Sequence, residues 1–112
     1  MVYNLDKLQE LSGGDKDFIL SIVEVFIEET PQDLLNLKDA IEKQDFEGIY
    51  QNAHKIKPNV DLLGMEEVRQ GAYDIEMQGR HDKDMGVITK LFPFVETTIN
   101  QAIVELKNDF GL

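Results

Sequence analysis

The chain has 112 residues, with 22 Asp and Glu against 11 Lys and Arg, a formal charge of −11, and no cysteine. The acidic excess excludes a broad nucleic-acid or anionic-membrane interface, which needs concentrated basic surface, and the lack of cysteine excludes disulfides, thiolate metal sites and thiol nucleophiles. No apolar run approaches the roughly 18 residues of a membrane span and the first residues do not read as a signal peptide, so a single cytoplasmic domain over residues 1–112 is expected.

Leu5, Leu8 and Leu11 recur at helical spacing and Ser12-Gly13-Gly14 closes them, which predicts a short N-terminal helix. Asp15 reads as the N-cap of the next helix, where Phe18, Ile19, Ile22, Val25, Phe26, Leu34, Leu37 and Ile41 trace an inward stripe. Pro31 interrupts that run with no other turn residue beside it, so two nearly continuous helical segments are expected rather than a loop. Gln44-Asp45 marks a tight connection, with Asp45 capping a helix that ends at Gly64. A further helix starts near Glu66, carries Val68, Ala72, Ile75 and Met77 or Gln78, and ends at Gly79, after which Arg80-His81-Asp82 reads as a linker. Asp84 caps a last helix striped by Ile88, Leu91, Phe92, Val95, Ile99, Ala102, Ile103 and Leu106 and kinked at Pro93. Short links between long helices make antiparallel neighbours. The expected fold is therefore all-α, an antiparallel up-and-down four-helix bundle with a short additional N-terminal helix, Phe18, Phe26, Phe46 and Phe92 in the core, and no pattern that calls for more than a monomer.

Within the helix from Phe46 to Leu63, residues Phe46, Ile49, Tyr50, Ala53, Ile56, Val60 and Leu63 share one arc at about 100° per residue, and His54 points roughly 120° from its middle. A solvent-facing imidazole with a reference pKa of about 6.5 can act as a nucleophile near neutral pH. Lys57 lies one turn on, nearer the core boundary, where an ammonium can offset the charge of an incoming phosphoryl group, and Lys55 points to the far flank. The plain alternative is a solvated helix face. A di-metal carboxylate bundle wants Glu-x-x-His on its helices, but Gln51 and Gln78 precede His54 and His81 by three residues. No Gly-rich phosphate loop precedes a helix, and nothing marks Ser12 or Ser21 as an activated hydroxyl. His81, in a charged turn, is assigned no chemistry.

The segment Ala53-His54-Lys55-Ile56-Lys57, with Gly64 ten residues after the histidine, resembles the signature of histidine-containing phosphotransfer (HPt) domains, and Ala72-Tyr73-Asp74-Ile75-Glu76-Met77-Gln78-Gly79-Arg80 is similar to the family's next helix. The resemblance implies that His54 is the phosphoacceptor, that Lys57 neutralises charge on the transferring group with Lys55 contributing or docking, and that Gly64 ends the segment. It implies receiver domains and a hybrid sensor histidine kinase as partners, no cofactor of the chain's own, and Mg2+ held by the receiver. The family usually has glycine where this chain has Pro58, and a small residue where it has Asn59. Proline removes the bond to the His54 carbonyl and crowds it, so a bend beneath the histidine is expected. Three readings follow: a relay intermediate, a helical adaptor that binds receivers without transfer, and a purely structural four-helix module.

Overall fold

Aspartates fix where the long helices begin, because each carboxylate accepts first-turn N–H groups that have no partner within the helix. The computed structural model describes residues 1–112 and contains helices and turns only. After α1 (Asp6–Ser12), Asp15 caps α2 (Lys16–Glu42) through the Asp17 and Phe18 amides, and Asp45 caps α3 (Phe46–Leu62) through the Gly48 amide. Next come α4 (Glu66–Met77), a π-helical turn (Gln78–Asp82) and α5 (Met85–Phe110), which Asp84 caps through Gly86 and Val87. No helix is long and apolar enough to cross a membrane.

The core pairs run in a ring, α2 on α3, α3 on α4, α4 on α5 and α5 back on α2. This is the expected four-helix bundle. At about 1.5 Å per residue, a helix of α2's length reaches about 40 Å, which matches the 41 Å long axis of the molecule. The shorter α3 and α4 leave one end of the bundle open, and the N-terminal segment fills it. The Asn4 amide donates to the Leu63 carbonyl at 2.9 Å, the Val2 amide donates to Glu105 at 3.0 Å, and the Tyr3 hydroxyl bonds the Asp109 carboxylate. Leu8 is fully buried beneath them. Gly64 takes φ +66°, and a Cβ there would meet the Asn4 side chain at 2.5 Å, so this turn serves as the seat of the N-terminal strap.

All three prolines lie inside helices that stay α-helical on both sides of them. The expected pair of segments around Pro31 is one helix, and neither Pro58 nor Pro93 ends its own. Pro58 and Pro93 are exposed, so water can take the place of the missing N–H on the solvent face, where helices tolerate lengthened bonds.

Other expectations need correction. The stretch read as a linker, Arg80-His81-Asp82, belongs to the π-helical turn, and Gly79 is buried within it rather than ending a helix. Phe18 and Val25, placed on the inward stripe, are 42% and 47% exposed, and Leu11 is exposed as well. At about 100° per residue Phe18 and Val25 point roughly 120–140° away from the middle of the stripe that α2 buries, Ile19, Val23, Phe26, Thr30, Leu34 and Leu37, so they belong to its outer face. Phe26 and Phe92 are core residues and Phe46 packs against the core half-buried.

Burial first, and then the bond to Asp109, push the Tyr3 phenol up to about 12. The fold thus favours the protonated phenol over the unfolded chain, whose ordinary value is about 10. Its stabilisation is complete below about pH 10 and is lost as pH rises through the folded value. Urea unfolding of wild type and Y3F should show a wild-type advantage of about 1 kcal/mol at pH 8 that shrinks at pH 11 and above. A constant difference across that range contradicts the assignment.

Candidate functional site

Helix α3 turns Ala53 and Ile56 into the core and leaves His54 between them facing outward, with 60% of its side chain exposed. Across the groove α4 buries Val68, Gly71, Ala72 and Ile75, and on that same stripe it also buries a carboxylate, Glu76. Its side chain is 4% exposed and reaches both functional candidates of α3: Oε2 lies 2.8 Å from His54 Nδ1 and Oε1 lies 2.9 Å from Lys57 Nζ. The Lys57 contact is charge against charge rather than an aligned hydrogen bond.

Burial is the largest single influence on Glu76 and pushes its carboxyl up, but Lys57 and then His54 together outweigh it and hold the group below the ordinary glutamate range. Glu76 is therefore an anion at neutral pH and can only accept. Neutral His54 must then carry its proton on Nδ1 and donate it to Glu76, which leaves the Nε2 lone pair free on the exposed side of the ring. One buried carboxylate sets the tautomer and the local charge.

Lys57 is where the helical spacing puts it, one turn from His54 at the edge of the core, with its ammonium 5.2 Å from the centre of the Tyr73 ring. It is not a free cation beside Nε2, because its charge is matched by Glu76. Lys55 lies apart from this group, on the side of α3 that faces α2, in a shallow cleft with Glu28, Glu29, Gln32, Asp33 and Asn59. Asn59 donates to the Lys55 carbonyl at 3.4 Å. Pro58 is exposed on the outer face. Gly64 lies about 15 Å along the helix axis from His54 and shapes the α3–α4 turn, not the surroundings of the imidazole. His81 is exposed in the π-helical turn.

Three neighbours of His54 and Lys57 carry no role in the sequence reading: Glu76, Tyr50 and Tyr73. Glu76 has a visible signal, since it falls four residues after Ala72 and eight after Val68, a core-facing place that a charged residue occupies only with partners. Tyr50, on the apolar arc, stacks on His54 with ring centroids 6.0 Å apart. Only the packed helices bring Glu76 and Tyr73 to this group, since Glu76 is 22 residues from His54, whereas Tyr50 lies one turn before His54 on the same helix.

The family model described as the Hpt domain matches residues 21–109. The phosphorelay intermediate protein rdeA of Dictyostelium discoideum is 23% identical over 108 residues, which cover 96% of this chain and 42% of that protein. The chain thus spans less than half the length of this curated relative. No solved structure matches.

The pH dependence of stability tests the Glu76 arrangement. Its folded-state pKa is depressed, so its contribution is present above the unfolded value of about 4.3 and is lost as pH falls through the folded value. E76Q should be less stable than wild type by about 1–3 kcal/mol at pH 7, with the gap narrowing in urea unfolding as the pH falls below the ordinary glutamate range. A gap that stays constant as the pH falls would mean that Glu76 acts through packing alone.

Proposed function

The chain belongs to the Hpt domain family, and we propose that it is a histidine phosphotransfer protein that takes a phosphoryl group from a receiver-domain aspartate onto His54 and passes it to another receiver. The observation that carries this reading is the Glu76–His54 contact of 2.8 Å, which gives an exposed imidazole one defined proton and one free lone pair.

In the forward step the Nε2 lone pair attacks phosphorus in line. The P–N bond forms as the P–O bond to the aspartyl oxygen breaks, and the receiver carboxylate leaves with the electron pair. No proton needs to move. The ring keeps its Nδ1 proton and gains positive charge as Nε2 becomes bonded, and Glu76 is already in place to stabilise that charge. Transfer to the next receiver runs the same path in reverse. Lys57 holds the second oxygen of Glu76 and lends positive potential to the groove, and Lys55 is assigned to docking on the α2 side. Magnesium belongs to the receiver in this scheme, and a hybrid sensor kinase is the expected upstream source of phosphate. A monomeric, cytoplasmic single domain is part of the same proposal.

The adaptor reading rests on Pro58. It is disfavoured by the continuity of α3 through Pro58 and by the His54, Glu76 and Lys57 contacts, none of which an adaptor requires.

Incubation with phosphorylated receiver and magnesium should place acid-labile phosphate on wild type and none on H54Q; labelled H54Q refutes the site. K57A should keep its helical circular dichroism and transfer about 10- to 100-fold more slowly, because Glu76 loses the cation that shares its charge. An unchanged K57A rate removes Lys57 from the mechanism.

A further inference from the structure

Glu76 controls one edge of the His54 ring and leaves its plane undetermined, since a single hydrogen bond at Nδ1 still lets the ring rock about it. The plane has its own contact. Tyr50 lies one turn before His54 on α3, and helical side chains lean toward the preceding turn, so the imidazole lies against the phenol ring with the two planes 26° from parallel.

Tyr50 is braced in turn. The Arg80 guanidinium sits 5.3 Å from the centre of the Tyr50 ring, and its Nη1 makes a long, 3.5 Å hydrogen bond to the phenol oxygen. Arg80 is not in an ion pair with any carboxylate, although acidic residues outnumber basic ones two to one. Its reach follows from the backbone beside it. A Cβ on Gly79 would stand 2.9 Å from the Tyr50 amide nitrogen and 3.0 Å from the Phe46 carbonyl oxygen, so the π-helical turn sits directly on the α3 backbone at Tyr50 only because position 79 has no side chain. The contacts therefore form a chain from Gly79 through Arg80 and Tyr50 to His54.

We propose that Tyr50, braced by Arg80 and seated by Gly79, is a positioning residue for His54: the stack fixes the plane of the imidazole while Glu76 selects its edge, and together they aim Nε2 outward. The inference rests on the phosphotransfer reading of His54 and adds the groups that orient the nucleophile. It also gives the π-helical turn a use, as the platform that carries Arg80 to the ring.

The test compares the full 15N-labelled chain as wild type, Y50F and Y50L, checked for equal helicity. It uses long-range 1H–15N NMR of the His54 ring and single-turnover transfer from a phosphorylated receiver over a range of receiver concentrations. Y50F keeps the stack and should stay within about twofold of wild type in both parameters. Y50L should lower the saturating rate about tenfold and leave the half-saturating receiver concentration unchanged, because misaiming a nucleophile costs rate rather than docking. Its His54 ring signals should broaden as the imidazole rocks about the Glu76 bond, with Nδ1 still protonated. R80Q should shift both readouts in the same direction by less, which keeps the test alive if Y50L fails to fold. Unchanged ring signals with an unchanged saturating rate overturn the proposal, as does a change confined to half-saturation, which would make Tyr50 a docking contact. If wild type takes no phosphate, the functional reading falls, and the NMR comparison still decides whether Tyr50 orients the ring.

Discussion

The buried carboxylate of Glu76 is the constraint on which the rest of the site depends. An ionised group in a protein interior is tolerated only when paired, and Glu76 obtains its pairing from two side chains of the neighbouring helix, His54 and Lys57. That requirement fixes how α3 and α4 face each other, since a small rotation of either would leave a charge without its partner. It also fixes the tautomer of the neutral imidazole. An anion that can only accept holds the Nδ1 proton, and the Nε2 lone pair is left on the exposed side of the ring.

The fold supplies the remaining conditions. The α3–α4 hairpin is shorter than α2 and α5, and the N-terminal strap, locked by Tyr3 and Asn4, closes the end that the hairpin leaves open. At the opposite end the π-helical turn brings Gly79 onto the α3 backbone. The site lies between these two closures on the α3–α4 helix pair. The transfer proposed for His54 needs a surface rather than a pocket, and small interfaces are typical of transient signalling contacts. A net charge of −11 discourages indiscriminate association.

Much of this was legible in the sequence. The aspartate caps at 15, 45 and 84, the turn at Gly64 and the outward angle of His54 all follow from local chemistry, and local chemistry is encoded within a few residues. The π-helical turn was not legible, because its cause is the close approach of Gly79 to a backbone some thirty positions earlier, whereas a glycine near a helix end ordinarily signals termination. Phe18 and Val25 were misplaced because each sits beside a true core residue, Ile19 and Phe26, and was read into one wide stripe, although at about 100° per residue only Ile19 and Phe26 face the buried side. Glu76 was overlooked although it interrupts an apolar stripe. Its two partners lie on another helix, and the register of that pair appears only in three dimensions. Lys57 shows the same limit, since spacing placed it near His54 but could not reveal that Glu76 already matches its charge.

The most direct test of the account is to identify which ring nitrogen carries phosphorus after transfer from a phosphorylated receiver, by 31P–15N coupling in the labelled chain. The account predicts a bond to Nε2 of His54, with Nδ1 still protonated toward Glu76. Phosphorus on Nδ1, or on any residue other than His54, would contradict it, because the carboxylate could not then be holding the proton that leaves Nε2 free.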